Sequence, residues 1–392
     1  MTDSLAAPTI DRADDLQVGI ALASVGFYVS GMGAVLAGLA SEFSVAPESL
    51  SWVGSTFGAG LLVIAATGRL VLRAGPRPAL AASAIALALS TVLAVFGPTL
   101  VFVFIAAVLQ GLSASVMVLV APVMLTASAD VRLTRVNAVS SLVGILAPLL
   151  VGAAVGVGIP GRWALLTLVP LLIWLLALLF LHARAAGSAQ PVAEPARAAE
   201  STPAAPEASK PSVWSVVRRW LAVVMSVSVE FSYVVWGVTR LIATGIDTGL
   251  ASVLGIAFPV GMAVGRSAGP WIIRRLPAVP FGAGVAALGT LLVVIGTGWP
   301  IVTAGLIIAG LGVATMYPVT LARLMAVEGL AAHRGAAVGA AASGTAILLA
   351  PVALAAVAAV VDLRLAFLLQ LPLLIILLAL HGRSGNRAAP VK

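Results

Sequence analysis

Cysteine is absent from this chain, which excludes disulfides and thiol chemistry. Charge is scarce as well, at 9% of residues against 61% apolar ones. The three histidines, His182, His333 and His381, lie near the ends of apolar runs, and no two share a face at metal-ligand spacing, so no metal site is expected. Neither a phosphate-cradling glycine loop closed by Lys-Ser/Thr nor a plausible nucleophile, base and acid set is present. The chain is therefore not expected to be an enzyme or to carry a cofactor. With no ATPase module, any uphill movement it drives must draw on an ion or solute gradient. The opening MTDSLAAPTIDRADDLQ lacks a positive n-region and a small-residue cleavage site, so the first apolar run is expected to stay in the protein.

What is present is hydrocarbon. A mean hydropathy of +1.14 and 39 glycines place the chain in a bilayer. Twelve apolar runs reach the length that a spanning helix needs. They cover 17–39, 51–71, 79–97, 100–126, 136–158, 161–181, 214–240, 249–272, 279–297, 299–325, 333–359 and 361–381. The runs are continuous rather than alternating, so the fold class is an all-α polytopic membrane protein and not a barrel.

Orientation follows from counting basic residues. With the N-terminus inside, only Arg162, Arg240 and Arg364 fall on or beside the outward connections, and the other 19 of the 22 basic residues face the cytoplasm. Both termini are thus expected to be cytoplasmic, in the inner membrane. The net charge of +8 reflects this topology and not a nucleic-acid partner, since no basic patch is interleaved with aromatics.

Residues 182–212, rich in Ala, Pro, Ser and scattered charge, read as a disordered cytoplasmic linker between residues 1–181 and 213–392. Each flanking half holds six runs, and the halves resemble each other. Ala147-Pro148 in the fifth run matches Ala350-Pro351 in the eleventh, LQGLSASVM in the fourth matches IAGLGVATM in the tenth, and Gly68-Arg69 matches Gly265-Arg266. Shared register and depth argue for duplication.

Two six-helix halves repeated about an axis along the membrane normal, with a long loop between them, resemble the major facilitator superfamily. The stretch GRLVLRAGPRPAL, residues 68–80, is similar to that family's cytoplasmic signature. Gly68, Leu70, Arg73, Gly75, Arg77 and Leu80 match, whereas Leu72 replaces the usual aspartate and Pro76 an arginine. The resemblance implies that Gly68, Arg69, Arg73, Gly75 and Arg77, with Gly265 and Arg266 in the second half, form a cytoplasmic gate. The loss of the acid questions whether that gate works through a charge relay. Of the antiporter signatures in the fourth and fifth runs, Gln110-Gly111, Pro148 and Gly152 remain, with Ala107 where the family has arginine.

Glu230 lies deep in the seventh run, and no other acid is placed so far from a run's ends. Positions three, four and seven away on a helix are Ser226, Tyr233 and Gly237, a small and polar stripe that is expected to face the bundle interior or a water-filled cavity. A carboxyl there can take a proton on one side and release it on the other. The alternatives are a permanent ion pair with Arg266, or direct substrate binding without coupling.

Six tryptophans, Trp52, Trp163, Trp214, Trp220, Trp271 and Trp299, fall near run ends, as an interfacial belt requires. Tyr28, Tyr233 and Tyr317 instead lie near run centres, where each either lines a substrate pocket or bonds between helices. Gln110 and Ser226 complete the expected substrate-binding set with these tyrosines.

Together these features lead us to expect a secondary transporter, with proton-driven export of a small neutral or cationic, partly apolar solute as the main expectation. Uptake of a sugar or other nutrient with protons is the runner-up, and a sensor descended from a transporter is a third reading. A single deep acid and no arginine at its depth argue against a strongly anionic substrate. The expected partners are the small solute and the lipid bilayer, with the protein acting as a monomer.

Overall fold

The computed structural model describes residues 7–125, 129–188 and 211–382. Twelve of its helices are long and apolar enough to cross a bilayer, and they coincide with the twelve runs expected from sequence. Spans one to six are Arg12–Glu42, Pro47–Ala74, Pro76–Phe96, Leu100–Met124, Arg135–Gly156 and Gly161–Ala185. Spans seven to twelve are Val213–Ile242, Thr248–Arg275, Ala278–Ile295, Trp299–Met325, Arg334–Ala358 and Leu363–Gly382. No strand occurs among the described residues.

Helix ends depart from the apolar runs for local reasons. The first helix begins at Ala7, well before its apolar stretch, because Asp14 and Asp15 find partners within the fold: Arg77 at 2.8 Å and Arg132 at 2.6 Å. The sixth helix continues through Ser188, past the expected start of the linker, and most of that linker, 189–210, lies outside the described residues. So does the tail from 383 onward.

Proline places the two breaks within spans. Span eight is interrupted between Leu254 and Ala257, and span ten between Val313 and Met316. Pro259 and Pro318 each lack the N–H that would bond the carbonyl four residues earlier, Gly255 and Ala314 respectively, so the ladder opens at those carbonyls. Both prolines then sit in the first turn of the next helical segment, where a missing N–H costs little.

Spans one to six pack among themselves as one half and spans seven to twelve as the other. Glycines let the halves approach backbone to backbone. A Cβ on Gly58 of span two would overlap the backbone of Gly344 and Leu348 in span eleven, one on Gly33 would meet the Val234 carbonyl, and one on Gly152 would meet Gly249 and Val253. These contacts run from mid-depth to the end of the bundle opposite the linker, here termed the far end.

At the far end, arginines cap the C-termini of the third helix of each half. Arg162 donates to the carbonyls of Ala94 at 3.0 Å and Gly97 at 2.8 Å, and pairs with Glu42 at 2.7 Å. In the second half Arg240 donates to Val293 at 3.1 Å and Gly296 at 2.5 Å, while Arg364 reaches the Val294 and Ile295 carbonyls. Gly97 and Gly296 are the C-caps of spans three and nine, so equivalent orphan carbonyls are satisfied in both halves. The three basic residues placed at this end by sequence are therefore all engaged.

Candidate functional site

Glu230 sits near the middle of span seven with its side chain 14% exposed. Its Oε1 is 3.5 Å from Nη2 of Arg266 on span eight, and Nη1 of the same guanidinium donates to Ser141 Oγ of span five at 3.1 Å. Arg266 thus links the carboxylate of one half to a hydroxyl of the other. Its side chain is nevertheless 40% exposed, so the pair is not sealed within the protein. Tyr317 of span ten stands beside Ser343 of span eleven, within electrostatic range of both Glu230 and Arg266.

A row of aromatic rings packs next to Glu230 in the chain. Phe231, the residue after Glu230, lies 6.3 Å from Phe57 of span two, and Phe57 meets Tyr28 of span one edge to face at 6.4 Å. The row crosses from one half to the other at mid-depth. With the glycine contacts beyond it, the two halves are joined from mid-depth to the far end.

The sequence candidates divide into three groups. Glu230, Tyr317 and Arg266 come together between spans seven, eight and ten. The expectation that no arginine reaches the depth of Glu230 is corrected here: Arg266 starts nearer the linker end, but its long side chain carries the guanidinium up to the carboxylate. Ser226 and Tyr233 pack within the second half. Ser226 Oγ bonds the Val223 carbonyl and Thr320 at 3.2 Å, and Tyr233 bonds Thr290 at 2.7 Å between the rings of Phe258 and Phe367. Tyr28 and Gln110 instead border a cavity of about 30 Å³ in the first half, shared with Arg162, which has room for water but not for a solute. Gln110 also contacts Thr91 at 3.5 Å.

The expected gate residues are likewise spread. Gly75 adopts φ +98°, which favours glycine, and joins spans two and three by a tight turn. Gly68 packs against Leu119 of span four, and Gly265 against Leu311 and Ala314 of span ten. Arg69 and Arg73 are exposed, and Arg77 holds Asp14. Sequence reasoning missed Phe57, Phe231 and Ser141, since an apolar or hydroxyl side chain within a span carries no mark of the face it takes.

The sequence model described as Major Facilitator Superfamily matches residues 18–327. Among solved structures, the chain is similar to a bacterial homologue of the human lysosomal transporter Spinster, in an inward-facing and unoccupied conformation. The TM-score is 0.71 at 11% identity, covering 97% of each chain. It is similar to the nucleoside transporter NupG, with TM-score 0.68, 12% identity and coverage of 95% of this chain and 99% of that one. It also resembles the xylose transporter XylE from E. coli in a partially occluded inward-open conformation, with TM-score 0.67, 14% identity and coverage of 98% and 100%. No curated protein matches in sequence.

Proposed function

The chain belongs to the major facilitator superfamily, and from that premise we propose that it is a proton-coupled secondary transporter which exports a small, partly apolar solute by alternating access. The site alternates between the two faces as the halves rock about the mid-depth contacts. In this reading the protein is a monomer in the cytoplasmic membrane with both termini inside. Its energy source is the proton gradient.

The observation that carries the proposal is the loosely held pair of Glu230 and Arg266. A carboxylate 3.5 Å from a half-exposed guanidinium is close enough to feel it and not locked to it. Protonation of Glu230 removes that attraction and leaves Arg266 to Ser141 on the opposite half, so the proton and the contact between halves are linked. A cationic or neutral solute that displaces the proton from Glu230 gives antiport.

Arg266 also favours a second reading, proton-coupled uptake. With Glu230 protonated, the guanidinium offers one positive charge to a solute acceptor group, and proton and solute then travel together. Purified protein in proteoliposomes with a pH-sensitive dye separates the two. Under antiport, solute added on one side drives protons out of the opposite compartment towards it, and under symport it carries them in. Glu230→Gln is expected to abolish the proton movement in either case while keeping solute exchange across the membrane. Proton-driven accumulation at the normal rate in that variant would overturn the coupling role, and solute binding without any flux would make the protein a sensor.

A further inference from the structure

The cavity of about 30 Å³ in the first half lies among spans one to four and six, and its walls are mostly apolar. Two polar side chains on it have incomplete bonding: Gln110 of span four, 4% exposed, and Arg162 at the start of span six, its side chain 11% exposed. The Nη atoms of Arg162 go to the Ala94 and Gly97 carbonyls and to Glu42, but its Nε–H is buried without a protein acceptor. Gln110 reaches Thr91 with its amide nitrogen at a long 3.5 Å, and its amide oxygen has no donor among the described residues. A buried polar group left unbonded forfeits the hydration it gave up on folding.

The second half fills the matching place. The register that matches LQGLSASVM to IAGLGVATM sets Ala107 against Leu306 and Gln110 against Ala309. Aligning the caps Gly97 and Gly296 sets Ala94 against Val293, and aligning Arg162 with Arg364 sets Leu165 against Phe367. Leu306, Val293 and Phe367 are the larger residue of each pair and all are fully buried. Thr290, the match of Thr91, is met there by the Tyr233 hydroxyl at 2.7 Å. The buried amide thus occurs in the half whose smaller side chains leave room beside it, and alanine stands in its place where the room is filled.

We propose that this cavity is a hydration site, in which structural water accepts from Arg162 Nε–H and donates to the Gln110 amide oxygen, tying span six to span four. The volume suffices for about two waters. Water fits better than an anion, because Glu42 at 2.7 Å already balances the charge of Arg162 and the amide oxygen needs a donor. An apolar ligand would leave both groups unbonded. The assignment rests on the packing of the first half alone and is independent of what the protein transports.

Two measurements on the full chain test it. A crystal structure fine enough to show ordered water elsewhere inside the bundle is expected to show density within about 2.7–3.2 Å of both Arg162 Nε and Gln110 Oε1. An empty cavity in such a map would overturn the site, and an anomalous peak there after soaking in bromide would overturn water in favour of a halide. Gln110→Leu keeps the size of the side chain and removes the amide, so the water loses one partner. Its Tm is expected to fall, and to fall as well in a Thr91→Val background, where the direct contact is already gone. An equal or higher Tm in that background would mean that the cavity is dry, since an apolar lining suits a dry cavity better than an unbonded amide does.

Discussion

Arg77 and Asp14 meet at 2.8 Å although 63 residues separate them in the chain. The signature between spans two and three lacks its acid, with Leu72 in that place, and the structure supplies one from the start of span one instead. The arginine expected at the gate is therefore tied within the first half, holding span one against span three.

Asp14→Asn should weaken that tie. Arg77 is 38% exposed and Asp14 12%, so the pair is worth much less than a fully buried one. A double-mutant cycle with Arg77→Gln, read from thermal melting, is expected to give a coupling of about 0.5–1 kcal/mol. Strict additivity would show that the pair contributes nothing.

Gly75→Ala isolates backbone strain. At φ +98° and ψ 163° only glycine is comfortable, and the nearest atom to an added Cβ is Pro78 Cδ at 3.7 Å, which is ordinary contact. The expected loss is about 1–3 kcal/mol from conformation alone. An unchanged melting temperature would mean that the turn relaxes freely.

Glu230→Gln is expected to cost little stability, about 1 kcal/mol or less, because Arg266 is 40% exposed and water can take over the lost contact. A buried, tightly bonded pair would lose roughly 3–5 kcal/mol on the same change. Melting the variant decides between them, and a large loss would make the pair chiefly structural.

Tyr233→Phe removes one buried hydrogen bond to Thr290, whose hydroxyl still donates to the Ala286 carbonyl at 2.8 Å. A destabilisation of about 0.5–1.5 kcal/mol is expected, with solute affinity unchanged since the ring is enclosed by Phe258 and Phe367. Weakened solute binding at native stability would return Tyr233 to the substrate pocket.

The spans were legible in the sequence because twenty apolar residues in a row have few other uses, and the doubling was legible because Ala147-Pro148 and Ala350-Pro351 share a register. The candidate site was legible only at Glu230, Tyr317 and Arg266. A mid-depth tyrosine looks alike from sequence whether it stands near the deep acid, as Tyr317 does, or is enclosed by helices of its own half, as Tyr233 is. The polar stripe through Ser226 and Tyr233 had the right period, but Thr320 and Thr290 on other helices of the same half met it. Asp14 as partner to Arg77 was hidden because sequence separation gives no distance in space, and the reach of Arg266 because a span position locates Cα and not the end of a long side chain.

The arginine caps at the far end also impose an order on synthesis. Arg162 and Arg364 are made after the helices whose carbonyls they bond, so each can be satisfied as soon as it reaches its place. Arg240 is made 53 residues before Val293, its first acceptor. At a translation rate of 5–20 residues per second that gap lasts about 3–10 s, during which neither acceptor carbonyl of its guanidinium has yet been made. Completion of the second half therefore waits on span nine, and a chain stalled between spans seven and nine should be the stage of assembly most dependent on an insertase or chaperone.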